Sequence, residues 1–214
     1  MTSNLLSTSL LAFLLLFSSF SVPKKKTTIV LKHGSVLIYD IDANSEKFDL
    51  IVTLKKVKPE IVFSYETSGP SKKKGTITIP AAAIDSSRTL NNDFSGGNKT
   101  LNGELSLFLS RLIYGELAMA GMNEGGTSFR ANPKDTMENF TRGEPNLNEI
   151  KVNGHNIQID GERFYDFVNE KTGNYHYAFT VLKNEEFPLI LDMNLGWILH
   201  LKQIDGVDVM KVEE

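Results

Sequence analysis

Alternating apolar and polar positions run through most of the chain and predict β-strands. In residues 175–182, every second position is aromatic or β-branched, and this period of two places one set of side chains on one face of a strand. Two further apolar runs follow, each after a short polar segment. We therefore predict a three-stranded meander over residues 174–204, with Trp197, Leu199 and Leu201 in the core.

The first part of the chain has the same character. Five short apolar runs lie between residues 27 and 79, and Gly, Pro, Asn and Ser separate them at intervals of about 8–12 residues, as in antiparallel all-β folds. Together these patterns predict a mainly β (α+β) fold. We expect an antiparallel sheet in a sandwich or half-open barrel, with one amphipathic helix near residues 103–119.

The pair Asn153-Gly154 is the strongest local signal. It is the preferred sequence for a two-residue type I′ turn between antiparallel strands. This turn predicts that Val152 faces His155 and that Ile150 faces Ile157. We expect His155 to lie at the turn end of a core face and not to act as a ligand.

One segment has the period of a helix. Its apolar residues fall on one arc at about 100° per residue, and Asn102 is a suitable N-cap. The residues of this arc are Leu105, Phe108, Leu109, Leu112, Ile113 and Met119. Gly115 interrupts the arc at a cost of about 1 kcal/mol relative to alanine.

Glu116 projects near the middle of this apolar arc and is the one candidate functional residue. We expect the helix to bend or end at Gly115, which would leave Glu116 solvated and ordinary. The alternative is a partly buried carboxylate with a raised pKa, which would be a candidate acid or base.

Composition excludes several kinds of function. A formal net charge of −3 gives no electrostatic argument for binding nucleic acid. The chain has no cysteine, so disulfides, thiolate zinc sites and cysteine nucleophiles are excluded. The 214 residues suffice for one domain, which we assign to residues 22–214.

The N-terminal segment has the pattern of a signal peptide. An apolar core over residues 10–17 precedes the small residues Ser19 and Ser21, although no Lys or Arg comes before it. We predict a signal peptide over residues 1–21, export to the periplasm or beyond, and no transmembrane span in the mature chain. An uncleaved anchor and a buried structural segment are the alternatives.

Catalytic motifs are not evident, and we assign no catalytic, metal-binding or cofactor-binding residues. The four histidines lack metal-ligand spacing, and no Gly-x-Ser-x-Gly motif occurs. The register predicted for the meander places neither His176 nor His200 opposite Asp192, which makes a His–Asp pair there improbable. Paired carboxylates stay possible, from a pool of Asp40, Asp42, Glu66, Asp85, Glu116 and Asp192.

The aromatic residues allow two interpretations. They could line a barrel mouth that holds an apolar ligand. They could instead fill the core between the sheet and the helix, which is the interpretation that we favour. These residues are Tyr39, Phe48, Phe63, Tyr65, Phe108, Phe164, Tyr165, Tyr175, Tyr177, Phe179 and Trp197.

Several segments resemble a group of uncharacterised, exported β-rich envelope domains of bacteria, chiefly of the Bacteroidetes kind. The resemblance spans most of residues 34–204 and consists mainly of strand and helix pattern. The segments are residues 61–67 (IVFSYET), 75–79 (GTITI), 106–114 (SLFLSRLIY), 181–184 (VLKN) and 188–191 (PLIL). The resemblance implies an envelope or periplasmic location and supplies no catalytic residues.

These observations favour an exported, non-enzymatic binding or structural module of the cell envelope. Its partner would be an unknown envelope protein or a small or apolar ligand, with no cofactor. The alternatives are a carrier of an apolar ligand in a half-open β-barrel and a carboxylate-based hydrolase.

Overall fold

The computed structural model of the chain describes residues 26–43, 46–120, 126–169 and 174–212. The predicted signal peptide over residues 1–21 lies outside the described residues, so its presence stays a prediction. Within the described ranges, no helix has the length and apolar character needed to cross a membrane.

Strands form most of the described chain, and two short helices accompany them. The strands are β1 (Lys26–Val30), β2 (Val36–Ala43), β3 (Glu46–Lys56), β4 (Ile61–Thr67), β5 (Lys74–Ile79), β6 (Gly97–Thr100), β7 (Thr127–Phe129), β8 (Glu138–Arg142), β9 (Asn146–Val152), β10 (His155–Asn169), β11 (Asn174–Leu182), β12 (Ile190–Asn194), β13 (Ile198–Asp205) and β14 (Asp208–Val212). The helices are α1 (Ala81–Ser86) and α2 (Arg111–Met119).

One sheet of 12 strands contains most of the chain, and a separate two-stranded sheet joins β1 to β14. Along the large sheet the strands follow the order β6-β5-β4-β3-β2-β13-β12-β11-β10-β8-β7. Neighbours along this path are antiparallel except β5 and β6, which run parallel. The predicted mainly β fold class is therefore confirmed.

Strand β9 closes part of this sheet into a small barrel. It pairs antiparallel with β10 on one side and, through Lys151 and Val152, parallel with β13 on the other. Strands β9 to β13 therefore form a ring, and β2 to β6 extend the sheet away from it. Of the two predicted arrangements, the barrel is the one that the chain adopts.

The turn between β9 and β10 has the predicted geometry. Asn153 and Gly154 have φ values of 48° and 83°, as both central positions of a type I′ turn require. Val152 pairs with His155, so the predicted register is confirmed. Val152 is buried, whereas His155 is exposed, so the assignment of His155 to a core face is wrong.

Alternate residues of the long strands meet in one continuous core. Leu199 and Leu201 are fully buried, as predicted, but Trp197 is only partly buried. Each large apolar side chain stabilises the fold by roughly 1.5–3 kcal/mol when it is fully buried. Most of the aromatic residues are core residues too, in agreement with the core-filling interpretation: Tyr39, Phe63, Tyr65, Phe108, Phe164, Tyr165 and Phe179.

The predicted amphipathic helix is present over Arg111–Met119, but it begins later than the pattern suggested. Ser110, and not Asn102, is the N-cap, and its hydroxyl accepts a hydrogen bond from the Ile113 amide at 3.1 Å. Leu112 and Met119, which belong to the predicted apolar arc, are exposed. The helix instead buries Ile113, Tyr114 and Leu117.

The apolar residues before this helix lie in an irregular, buried segment. The amide of Leu105 donates to the Thr89 carbonyl at 2.9 Å, and that of Leu109 donates to the Pro188 carbonyl at 3.0 Å. Leu107 has a φ of 63°, which a right-handed helix does not allow. All residues from 105 to 109 are buried, and periodicity alone does not distinguish such a continuous buried run from a helix.

The helix continues through Gly115, so the expectation that it bends or ends there is wrong. The amide of Ala120 donates to the Glu116 carbonyl at 3.0 Å, which completes the last turn. Burial of Ile113 and Leu117 offsets the low helix propensity of glycine. Apart from its chain neighbours and the backbone of the helix itself, no described residue has an atom within 4 Å of the place where a Cβ on Gly115 would sit.

The C-terminal meander is present, but its register differs from the predicted one. Residues 183–189 form a longer connection than the four-residue turn that we expected, and the amide of Leu182 donates to the Leu189 carbonyl at 2.8 Å. Strand β12 therefore begins at Ile190. The next connection contains the three residues 195–197.

Candidate functional site

Glu116, the candidate from the sequence, is neither solvated and ordinary nor buried and protonated. Its carboxylate accepts hydrogen bonds from the Arg88 guanidinium and the Thr127 hydroxyl, and 32% of its side chain is exposed. The hydrogen bond from Arg88 is the main cause that holds the pKa of Glu116 below its ordinary value. Both sequence-based expectations for this residue are therefore wrong, because a cationic partner remote in sequence satisfies the carboxylate.

The partners of Glu116 indicate a structural role. The second terminal nitrogen of Arg88, Nη1, donates to the Thr127 hydroxyl at 2.8 Å and to the Ser128 carbonyl at 3.0 Å. The cluster thus joins α2 to β7 through the segment around Arg88. A carboxylate that is ionised and held by two donors is a poor general acid or base at neutral pH.

The register of the meander produces a His–Asp pair that we judged improbable. Asp192 on β12 lies directly opposite His200 on β13, and the Nδ1 of His200 is 2.5 Å from a carboxylate oxygen of Asp192. The longer connection before β12 shifts the register and brings the two residues together. This hydrogen bond is the largest cause that raises the pKa of His200.

The His–Asp pair belongs to a charged row that crosses four strands. The row consists of Asp192, His200, Asp40 and Asp49, in which each residue is the cross-strand partner of the next. The Lys202 ammonium donates to Asp40 at 2.8 Å and to Asp49 at 2.6 Å. The hydrogen bond from Lys202 is the main cause that lowers the pKa of Asp40.

The charged row lies on a sheet face with open access to solvent. The side chains of His200 and Asp192 are 45% and 36% exposed. An ionised carboxylate only accepts hydrogen bonds, so the Nδ1 atom of His200 carries a proton. The other ring nitrogen, Nε2, is the one that can exchange a proton with solvent. Among the described residues, no group of three or more His, Cys, Asp or Glu side chains is arranged to hold a metal ion.

The other carboxylates of the predicted pool have separate partners or positions. Asp42 pairs with Lys47 at 2.8 Å, and Asp85 pairs with Arg111 at 2.5 Å. Glu66 lies on β4. Of the pool, the structure places Asp40 and Asp192 on either side of His200, and Asp42 lines the same surface concavity as Asp40 and His200.

The most buried carboxylate among the described residues was not identified from the sequence. The Glu162 side chain on β10 is 4% exposed, and it pairs with Arg142 at 3.1 Å and Lys183 at 3.8 Å. Its second oxygen, Oε2, is buried without a hydrogen-bond partner among the described residues. Burial, and then the charge of Glu162, raises the pKa of Tyr114.

A separate concavity of about 300 Å³ combines two aromatic rings with amide and carboxylate groups. We call it the aromatic cleft. The residues that line it include Asn92, Asp93, Asn132, Asp135, Tyr177 and Trp197. From the sequence, Tyr177 and Trp197 were named only among the aromatic residues that could line a barrel mouth, and none of the polar residues of the cleft was identified.

Three parts of the chain build the aromatic cleft. Trp197 ends the three-residue connection between β12 and β13, where Gly196 has a φ of 82° and donates its amide to the Asn194 side chain at 3.2 Å. Tyr177 lies on β11 and stacks on Phe140, with ring centroids 6.5 Å apart. These two residues form the aromatic side of the cleft.

The polar side of the cleft comes from two loops that the backbone holds together. The Leu90 amide donates to the Arg130 carbonyl at 2.9 Å, so the segment before Asn92 lies beside the segment before Asn132. The side-chain oxygen of Asn92, Oδ1, accepts a hydrogen bond from the Ser106 hydroxyl at 3.1 Å. These bonds fix the two loops at the edge of the cleft.

Comparison of the chain with protein-family models, with curated proteins and with solved structures finds no match in any of the three.

Proposed function

We propose that this protein is an exported, non-enzymatic binding module of the cell envelope and that the aromatic cleft is its binding site. The observation that carries the proposal is the position of Trp197. This residue is a half-buried aromatic on a loop at the cleft, and its indole N–H donates no hydrogen bond within the described part of the chain. Tryptophan combines a large apolar surface with one donor, and this combination is frequent in binding sites.

Polar groups beside the indole are also available to a ligand. The Asn132 side-chain oxygen accepts from the Lys134 amide at 3.2 Å, whereas its NH₂ group donates to none of the described residues. The Asp135 carboxylate likewise has no hydrogen bond or ion pair with a described residue. Small-molecule sites characteristically place a few such convergent polar groups beside apolar surface.

The chemistry of the cleft favours binding over catalysis. The described residues that line it include no His, Ser, Cys or Lys. Hydrogen bonding to Lys99 at 2.6 Å keeps the pKa of Asp93 below its ordinary value, so Asp93 is ionised at neutral pH. A glycosidase acid needs the opposite shift, because it must carry a proton to the leaving group.

The N-terminal sequence and the resemblance support the proposed location. The apolar core over residues 10–17, followed by Ser19 and Ser21, has the pattern of a signal peptide. The resemblance to exported envelope domains supports the same location. N-terminal sequencing of the protein from its native host should find a chain that starts after Ser21, and a cytosolic chain that starts at Met1 would contradict export.

A thermal-shift screen tests the binding function. We expect at least one compound, from a panel of saccharides, amino acids, quaternary amines, carboxylates and lipids, to raise the midpoint of unfolding in a concentration-dependent way. Asp135→Asn and Trp197→Ala should reduce that rise. Asp160→Asn, an exposed carboxylate outside the cleft, is the matched control and should leave it unchanged. The absence of any stabilising compound would contradict the proposal, as would stabilisation that is equal in all three variants.

Hydrolysis is the second candidate function, and the His200–Asp192 pair is the observation that favours it. A carboxylate bonded to Nδ1 orients the imidazole and raises its basicity, as in catalytic triads. Turnover of chromogenic esters or glycosides that is lost in His200→Ala would establish this function in place of the binding module. We expect no turnover, since the charged row lies on an open sheet face.

A further inference from the structure

The aromatic cleft combines two kinds of lining group, and this combination restricts its ligand. Trp197 and Tyr177 contribute aromatic rings, while Asn132, Asp135 and Asn92 contribute amides and a carboxylate. A suitable ligand therefore has an apolar face next to a polar rim. A sugar ring has this form, because C–H groups cover its faces and hydroxyl groups surround its edge.

The polar groups fit hydroxyl groups in particular. The Asn132 NH₂ group and the Trp197 indole N–H are donors, whereas the Asp135 carboxylate is an acceptor. A hydroxyl group both accepts and donates, so one class of ligand group can satisfy all three. Asn92 adds another donor, since the one described group to which its amide nitrogen donates is the Met193 sulfur, a weak acceptor, at 3.7 Å.

Charge disfavours one other class of ligand, and hydrogen bonding disfavours a second. Asp93 and Asp135 are the charged residues among those that line the cleft, so an anionic ligand would meet repulsion. A quaternary ammonium ion would be attracted to the rings and to Asp135. It has no acceptor, however, so it would leave the N–H groups of Asn132 and Trp197 without a partner at a cost in affinity.

The size of the cleft limits the ligand further. Its volume of about 300 Å³ is at the lower end of the range of about 300–1,000 Å³ that small-molecule sites occupy. We infer that the ligand is a neutral carbohydrate of one or two sugar units, packed on Trp197 and hydrogen-bonded by Asn132 and Asp135. The inference rests on the proposed binding function and specifies its ligand class.

Fluorescence provides a direct test, because Trp197 is the single tryptophan of the chain. The full mature protein is titrated with glucose, galactose, mannose, N-acetylglucosamine, maltose, cellobiose and lactose, and in parallel with glucuronate and choline. We expect a saturable change in emission with at least one neutral saccharide, with a Kd of about 1 mM or below, and none with glucuronate or choline.

Variants locate the site and test the predicted hydrogen bonds. Asn132→Ala and Asp135→Asn keep the fluorophore, and each should weaken saccharide binding by about tenfold, the loss expected for one hydrogen bond to a polar ligand. Asn156→Ala and Asp160→Asn, which change exposed residues outside the cleft, are the matched controls and should leave Kd unchanged.

The outcomes separate the inference from the proposed function. If choline or glucuronate binds through Asn132 or Asp135 and no neutral saccharide does, the carbohydrate inference is overturned while the binding function stands. If a saccharide binds with the same Kd in all variants, the assignment of this cleft is overturned. If no compound of any class changes the emission or the unfolding midpoint, both are overturned.

Discussion

Replacing Leu199 with alanine tests the packing of the meander on the neighbouring sheet. Leu199 on β13 is fully buried, and its cross-strand partners are Met193 on β12 and Ile41 on β2, which are also buried. The substitution removes three carbon atoms, worth about 2.4 kcal/mol of transfer free energy at about 0.8 kcal/mol each. The cavity that remains adds to this loss, so we expect a total of about 3–5 kcal/mol.

The adjacent residue provides a matched control. Ile198 lies on the same strand but points to the other face, where 47% of it is exposed. Ile198→Ala should cost about 1 kcal/mol or less, which reflects strand propensity and partial burial. The difference between the two losses of stability therefore measures what burial of Leu199 contributes beyond the effect of alanine on the strand itself.

Urea denaturation, followed by far-UV circular dichroism, measures both losses. With a slope of about 2 kcal/mol per M, Leu199→Ala should lower the midpoint by about 1.5–2.5 M. A loss below about 1 kcal/mol, or one no larger than that of Ile198→Ala, would refute the assignment of Leu199 to the core.

Three further predictions concern α2 and the charged row. Gly115→Ala should raise the free energy of unfolding, measured in urea, by about 0.5–1 kcal/mol. Alanine has the higher helix propensity, and no side chain among the described residues would contact the added methyl group. A loss of stability would contradict the helical assignment. Glu116→Gln should lower the free energy of unfolding by about 1 kcal/mol at pH 7, since Arg88 loses its charged partner. This loss should disappear as pH falls through the lowered pKa of Glu116, because the native carboxylate is then protonated as well. A loss that is independent of pH would contradict the pairing of Glu116 with Arg88. Asp192→Asn should lower the pKa of His200, measured by NMR. The raised pKa of His200 stabilises the unsubstituted protein below about pH 6.5, and this stability is lost as pH rises through the raised pKa, so the variant should lack it. An unchanged pKa of His200 would mean that the hydrogen bond does not form.

The parts of the fold that the sequence predicted are those with short-range determinants. Asn153-Gly154 specifies one turn type, and that turn fixes the register of β9 against β10. The short apolar runs between residues 27 and 79, separated by turn residues, predicted the succession of strands in this part of the chain. Ser110 and Asn102 are both good N-caps, so the start of α2 depended on tertiary contacts of the segment between them.

The candidate sites depend on contacts between distant parts of the chain, and no local pattern encodes them. His200 meets Asp192 because residues 183–189 form a longer connection than a tight turn, and a polar composition does not determine that length. Trp197 and Asn132 are 65 positions apart in the sequence, and both line the aromatic cleft because the folded sheet brings their segments together. Glu116 was singled out because it interrupts an apolar arc, but the identity of its partner was not predictable.

The indole N–H resonance of Trp197 provides the most direct test of ligand binding in the aromatic cleft. A single tryptophan gives a single, unambiguous indole signal in a ¹⁵N correlation spectrum. During titration with the neutral saccharides, this signal should move saturably, together with the side-chain amide signals of Asn132. An indole signal that stays fixed while resonances elsewhere move, or a spectrum that does not change with any compound, would contradict binding in this cleft.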